Sequence, residues 1–395
     1  MRGLNFAAAG LLAVTATTTT AAALEIKTAP ADQLYAAEAN ARRGYFDLMM
    51  QTIIIHNDAA SPVTITGVQL DALGAEGRIL SKTEPVEDVV ATTEEYAGMA
   101  AGGLGVFLAA QVLNEGGPQA ILGEDAQISA SAELAPGAYA LSAGQYLAMD
   151  FRPDALQITV SYLNEDGRPQ TARRQLEVIQ RDSVITYRAP LRGKWRVSGL
   201  PILHSHHRFI PSNEFALDLF KTGPNGELDQ GGKRDATDDY GYAEPVMAMA
   251  DGEVAFIIDG QTQDPDALSR RDGETVAEAR QRITQYQMQR FAKDFRAAAT
   301  GNLVILRHRQ GDVVEYSSYG HLKEDSIAVR VGDRVRQGDV IGAVGNTGDS
   351  TLTHLHVQLN TMSDPFFSPS LPLEFENAEP RYVGDEPGLF MTFTE

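Results

Sequence analysis

A mainly β chain made of two antiparallel β domains is predicted by three observations. Apolar or alternating runs of strand length recur along the chain, turn residues separate them, and the style of the sequence changes near a segment bearing the single tryptophan. The first domain is expected to be sandwich-like, and the second compact with a helical insertion. At 395 residues and 43% hydrophobic content, the chain is long enough to bury two such cores.

Residues 1–24 carry Arg2, an apolar run from Phe6 to Ala16 and small residues from Ala21 to Ala23. That is the order of a secretory signal peptide, so an exported, periplasmic or extracellular protein is expected. Residues 25–188 contain FDLMMQTIIIHN, SPVTITGVQLDAL, QYLAMDF and ALQITVSYLNEDG, which read as strands of an N-terminal β-rich domain. A helical or apolar excursion interrupts them around 84–122. Within it, the uncharged stretch from Tyr96 to Leu113 is rich in glycine and alanine and reads as a buried helix or hairpin, leaving no stable transmembrane anchor after signal cleavage.

The segment RAPLRGKWRVSGL, with Trp195, reads as the linker. Residues 189–376 form the second domain, with strand-like runs at EFALDLF, PVMAMADGEVAFII, GNLVILRH, VVEYSSYGHL, DSIAVRV and HLHVQL. Its insertion, 259–300, is charged and helix-favouring from Glu274 to Ala298, which suits packing or groove shaping. Residues 377–395 read as a C-terminal tail.

Composition excludes several function classes. With 33 Lys and Arg against 53 Asp and Glu, the net charge of −20 argues against a nucleic acid partner, because phosphate-backbone affinity rests on clustered cations. The lack of cysteine excludes thiol catalysis, thiolate metal sites, a disulfide framework and a lipoprotein acyl anchor.

Seven of the eight histidines fall between His204 and His356, a concentration that suits a metal site. In a strand spanning His354-Leu355-His356-Val357-Gln358-Leu359, side chains alternate, so His354, His356 and Gln358 share one face while the three apolar residues point into the core. Asp218 interrupts the apolar run FALDLF, where an ionised carboxylate is costly to bury unless it is paired or binds a cation. The cluster His204-Ser205-His206-His207 lies just before it and can supply an imidazole. In YGHL, the glycine turns the chain and leaves His321 at the rim. His56, alone in its half, reads as a surface or turn residue, and His308 as structural.

Together, VRVGDRVRQGDVIGAVGNTGDSTLTHLHVQL, PVMAMADGEV, GNLVILRH and YGHL, in the right order, resemble the lysostaphin or LytM-like zinc metallopeptidases. These are peptidoglycan endopeptidases with a duplicated-hybrid-motif β fold, and the likeness covers about Gly193 to Pro372. The resemblance implies a zinc metalloendopeptidase whose cofactor is Zn2+ and whose substrate is peptidoglycan or another peptide. In that family, a His, an Asp and the second His of H-x-H hold zinc, while the first His of H-x-H and the His of Y-x-H-L assist catalysis. Carried over, Asp218 and His356 are ligands and His354 and His321 the catalytic pair. The family's usual HxxxD is absent, because Glu214 stands four residues before Asp218. The segment SHHRFIPSNEFALDL is similar to a subset that takes this ligand from further upstream, which implies His207, with His206 as the alternative. A family domain that has lost catalysis and binds the wall or activates another hydrolase is the alternative function, and retention of Asp218, His321, His354 and His356 favours the enzyme.

Overall fold

Along the strand Pro153–Leu163, Leu156, Ile158, Val160 and Tyr162 are buried and the residues between them are half-buried. This is the period-two signature of a sheet with one face on a core. The computed structural model describes residues 24–40, 44–181, 183–198, 205–231, 236–382 and 389–394. The expected signal peptide up to residue 23, and His204, lie outside the described residues.

Pro153–Leu163 belongs to a six-stranded sheet ordered Gln33–Tyr35, Pro169–Ile179, Pro153–Leu163, Val63–Gly74, Ile79–Glu84, with Glu133–Leu134 attached to Val63–Gly74. A five-stranded sheet shares the same core through Leu48, Met50, Ile53 and Ile55 of its central strand Tyr45–Asn57. That strand is buried on both faces because the excursion folds over it. The helices Val86–Met99 and Gly105–Gln111 are joined by a π-helical turn, and Leu108 and Val112 pack against Ile54, Tyr139 and Leu141. His56 is buried in this strand, with Nδ1 3.6 Å from Glu25 Oε2, rather than on the surface or in a turn.

The second core draws on a ten-stranded sheet ordered Arg334–Val335, Gly252–Ile258, Asn302–Gln310, Val313–Leu322, Leu355–Asn360, Leu217–Phe220, Gly193–Ser198, Leu389–Phe393, Ala378–Tyr382, with Ser370–Leu371 paired to Leu355–Asn360. Mainly β architecture with antiparallel sheets is therefore the fold class. Two segments differ from their sequence-based expectation. The segment read as linker holds the strand Gly193–Ser198, whose Trp195 is fully buried, because its apolar residues complete this core. The segment read as a tail supplies two strands, with Leu389–Phe393 pairing onto Gly193–Ser198, so backbone pairing covers what would otherwise be an open sheet edge. Ile185 and Tyr187 also pack in the second core, ahead of residue 188.

Within the insertion, Val276–Lys293 starts at a capping box formed by Thr275 and Glu278, and Phe295–Thr300 follows directly. Of the residues in the longer helix only Ala279 is buried. It is held to the domain through its C-terminal half: Gln287 donates to Asp349 Oδ1 at 2.7 Å and Arg290 to the Gly348 carbonyl at 3.0 Å.

A buried ion triad joins the two halves. The Arg208 guanidinium lies 2.7 Å from Asp47 Oδ1 and 3.2 Å from Glu214 Oε1, and Tyr146 donates to Asp47 Oδ2 at 2.9 Å. All three charged side chains are almost wholly excluded from water. Burial raises the Glu214 pKa from 4.5 to about 7, against the opposing pull of Arg208. A carboxyl whose pKa is higher folded than unfolded stabilises the fold most at low pH, and loses that contribution as pH rises from 4.5 through 7. Wild-type protein is therefore expected to lose stability over this window relative to Glu214→Gln, which cannot ionise. Urea unfolding of both proteins at pH 5 and pH 8 checks this, and a stability difference that does not change with pH contradicts it.

Candidate metal centre

Strand register brings the polar residues together. Asp218 sits directly opposite His356, and His356 directly opposite Gly320 on its other side. Opposed residues in antiparallel strands project to the same face. The other face of these strands carries Leu217, Leu219, Leu355, Val357, Leu359 and Tyr319 into the core. The strand face thus presents Asp218 and His356 side by side, and the residue after Gly320 is His321.

Asp218 is the hub. Its Oδ1 lies 3.0 Å from His356 Nδ1 and 3.6 Å from His354 Nε2, and its Oδ2 lies 3.4 Å from His207 Nε2 and 3.8 Å from His206 Nε2. Donor atoms of His206, His207 and Asp218 all lie within 4.8 Å of one another, a grouping compatible with an ion, and His356 approaches the opposite carboxylate oxygen. His207 and His206 differ in how they are held. His207 is buried with its Nδ1 3.0 Å from the Ala216 carbonyl, whereas the His206 side chain is 69% exposed. This fixation favours His207 over His206 as the ligand and turns its Nε2 towards Asp218.

The same wiring recurs. His321 Nδ1 lies 2.8 Å from the Thr347 carbonyl, and His354 Nδ1 lies 2.7 Å from the Leu352 carbonyl. A carbonyl only accepts, so each of these imidazoles carries its proton on Nδ1 and presents a lone pair at Nε2. His356 is wired the other way: its Nε2 meets Gln358 Oε1 at 2.7 Å, and Nδ1 is the nitrogen turned to Asp218. Gln358 cannot flip, because its Nε2 donates to Asn360 Oδ1 at 2.7 Å and to the Pro365 carbonyl at 3.1 Å. The Nε2 lone pairs of His207 and His354 therefore face the Asp218 carboxylate, acceptor to acceptor, and such a set calls for a cation. Two imidazoles and one carboxylate are a donor set that suits zinc.

Electrostatics agree with this wiring. Burial works to raise the Asp218 pKa, but the surrounding imidazoles outweigh it and hold the carboxyl well below the usual range, ionised at neutral pH. Burial pushes His207 down to about 4 and also lowers His354 and His321, so all three are neutral. For His356, burial is opposed by the hydrogen bond that its Nδ1 donates to Asp218, and the net shift is upward, so this nitrogen gives up its proton when it binds an ion.

His321 is buried rather than at the rim, with a left-handed backbone (φ 60°) that points its ring back into the cluster, 4.6 Å from the His354 ring. The loop that anchors it depends on two glycines. Gly301 (φ 64°) and Gly348 (φ 83°) press so closely that a Cβ on Gly348 would overlap the backbone of Gly301, and Thr347 is carried between them. Glu214 does not join the cluster, because Arg208 holds it in the buried triad. His308 is engaged elsewhere, with Asp251 and Ser317 as partners at 2.8 and 2.7 Å.

Gln358 is a residue whose role sequence reasoning left open, although its place two residues after His356 put it on the same face. Gln358→Ala is expected to weaken zinc binding by about 10–100-fold through loss of the acceptor that orients His356. A competition titration with a zinc chelator measures this, and unchanged affinity contradicts it.

A cavity of about 240 Å3 opens beside the cluster. Its lining includes His206, His207, His321 and His356, and also Phe107 and Gln111 of the excursion and Phe291 and Phe295 of the insertion. Neither half of the chain alone builds it.

Comparison with known proteins gives the following. Residues 238–367 match the family described as Peptidase family M23. This range includes His321, His354 and His356, while His207 and Asp218 precede it. A segment of 59 residues is 41% identical to an uncharacterized metalloprotease of Buchnera aphidicola subsp. Baizongia pistaciae (strain Bp), covering 15% of this chain and 14% of that protein. The catalytic domain of the antimicrobial peptidase lysostaphin from Staphylococcus simulans is 18% identical, with 47% of this chain and 84% of that one covered and a TM-score of 0.22. A zinc containing peptidase from Vibrio cholerae is 13% identical, with 84% and 82% covered and a TM-score of 0.26.

Proposed function

We propose, from the match of residues 238–367 to peptidase family M23, that the protein is an exported zinc metalloendopeptidase acting on peptide bonds in peptidoglycan stem peptides or cross-links. The observation that carries this reading is the convergence of His207 Nε2 and His356 Nδ1 on the Asp218 carboxylate, with the lone pairs of His321 and His354 beside them. His207, Asp218 and His356 would hold the ion, and three protein ligands are the number typical of catalytic rather than closed structural zinc sites. Zinc held there supplies Lewis-acid polarisation of a scissile carbonyl and makes water a stronger acid.

The chain's own residues divide the remaining work. His354, neutral and fixed through Leu352, accepts a proton at Nε2 and returns it to the leaving amine. Oxyanion stabilisation by a neutral His321 would need a proton on Nε2. Its hydrogen bond to Thr347 puts the proton on Nδ1 instead. His321 is therefore assigned as a second proton acceptor, which stabilises developing negative charge only once it has become an imidazolium. The hydrogen bonds to Thr347 and Leu352 hold both rings in place, so that little reorganisation accompanies reaction.

Among the described residues, no helix is long and apolar enough to cross a membrane. Export rests on the N-terminal residue pattern, and processing at residue 24 in fractionated cells tests it. Function is tested by incubating the zinc-loaded full chain with purified peptidoglycan and with a soluble protein, followed by mass analysis of the fragments. Release of wall peptides supports the proposal. Stoichiometric zinc without cleavage of either substrate overturns the enzymatic reading, and cleavage of the soluble protein alone overturns the wall substrate.

A further inference from the structure

His207 rides on a turn that its own half of the chain does not hold alone. The 3-10 helix His206–Phe209 is four residues long, and helices of this kind are short and weakly bonded. Within it, the Arg208 N–H donates to the Ser205 carbonyl at 3.2 Å and the Ile210 N–H to the His207 carbonyl at 3.0 Å. The N-terminal half grips the same turn at three further points. Asp47, on the strand Tyr45–Asn57, binds the Arg208 guanidinium at 2.7 Å, and the Tyr146 ring lies against that guanidinium with its centroid 5.8 Å away. Gln111 Nε2 donates to the Phe209 carbonyl at 3.1 Å, while Gln111 Oε1 accepts from the Thr52 hydroxyl at 3.2 Å. The Phe209 ring rests on Gly144 (φ 65°), where a Cβ would lie 3.0 Å from Phe209 Cδ1.

We propose that Asp47 is a positioning residue for the metal centre, acting through Arg208 to hold the His207 turn against Asp218, with Gln111 steadying the turn at its C-terminal end. The inference rests on the assignment of His207 as a ligand and adds that the N-terminal half sets this ligand's place. His207 and Arg208 are adjacent, and in a helix of this pitch neighbouring side chains point about 120° apart, so a fixed Arg208 dictates the direction left to His207. Asp218 and His356 need no such support, because they stand opposed in paired strands of one sheet. His207 is placed instead by its hydrogen bond to Ala216 and by what its turn leans on. Arg208 is fully buried, so water does not replace Asp47 when that carboxylate is removed. The guanidinium then keeps Glu214 on its other side, and the turn is drawn towards the remaining carboxylate.

The test measures zinc affinity of the full chain by chelator competition for wild type, Asp47→Ala, His207→Ala and the double variant. Asp47→Ala is expected to weaken zinc binding by about 10–100-fold. In the His207→Ala background the same change is expected to weaken it by less than about twofold, because a residue acting through His207 has nothing left to place. A merely structural loss would appear in full in both backgrounds. Asp47→Asn, which keeps an acceptor for Arg208, is expected to restore affinity in part. Cobalt(II) in place of zinc gives a second readout, since its visible bands follow coordination geometry: the Asp47→Ala spectrum is expected to move towards that of His207→Ala. Full additivity in the double variant, or Asp47→Ala affinity within about twofold of wild type, overturns the positioning role and leaves the ligand assignment in place. A His207→Ala protein that binds zinc as wild type does overturns both. If near-ultraviolet circular dichroism shows that Asp47→Ala does not fold, Gln111→Ala decides, because it removes a hydrogen bond to the turn without disturbing a buried charge. That variant is expected to weaken zinc binding by about two- to tenfold, the worth of one hydrogen bond, and unchanged affinity overturns the proposal.

Discussion

Asp218→Asn is expected to lower zinc affinity by at least about a hundredfold, beyond the range seen for groups that only orient ligands. The substitution keeps shape and volume and removes the only carboxylate among the converging groups. Zinc would then face neutral imidazoles without the charge that the site concentrates on one buried side chain. Loss of fold gives a different signature. The four imidazoles crowd a buried anion, so exchanging that anion for a neutral amide leaves backbone pairing between Leu217–Phe220 and Leu355–Asn360 in place. Chelator competition measures affinity, and near-ultraviolet circular dichroism reports whether packing survives. A folded Asp218→Asn protein that keeps stoichiometric zinc at equimolar metal contradicts the ligand assignment.

His321→Ala is expected to reduce kcat by about 10^2–10^4, the range for removal of a positioned acid or base, while zinc remains bound. The separation follows from geometry: His321 is tied to Thr347 with its ring tilted against that of His354, whereas the proposed ligands surround Asp218. The alanine also opens space beside Thr347, so the metal content of the variant is measured alongside its rate. Because burial holds His321 well below 6.5, the wild-type rate should stay level through neutrality and fall only in acid, as the acceptor becomes protonated. Loss of zinc together with activity in this variant would place His321 among the ligands instead.

Much of the centre was legible in the sequence because strand periodicity is local. An aspartate inside FALDLF and a histidine two residues beyond another in HLHVQL need only the alternation of side chains to be placed on a polar face. The depth of His321 was not legible, because it depends on a left-handed backbone at one residue and on a carbonyl 26 positions away. The fate of Glu214 was hidden for a similar reason: Arg208 and Asp47, which engage it, come from different halves of the chain. The contact of Phe107 with Phe291 was invisible, since the two lie in different halves of the chain and neither stands out in its own helix. The C-terminal strands were missed because each is only five residues long, so only the waiting edge of Gly193–Ser198 identifies them.

The most direct measurement is anomalous diffraction at the zinc edge from crystals of the full chain grown with equimolar zinc. One strong peak is expected, bonded to His207 Nε2, the Asp218 carboxylate and His356 Nδ1, with His354 and His321 nearby and outside bonding distance. A peak that excludes Asp218, or no peak at the cluster in zinc-saturated crystals, would contradict it.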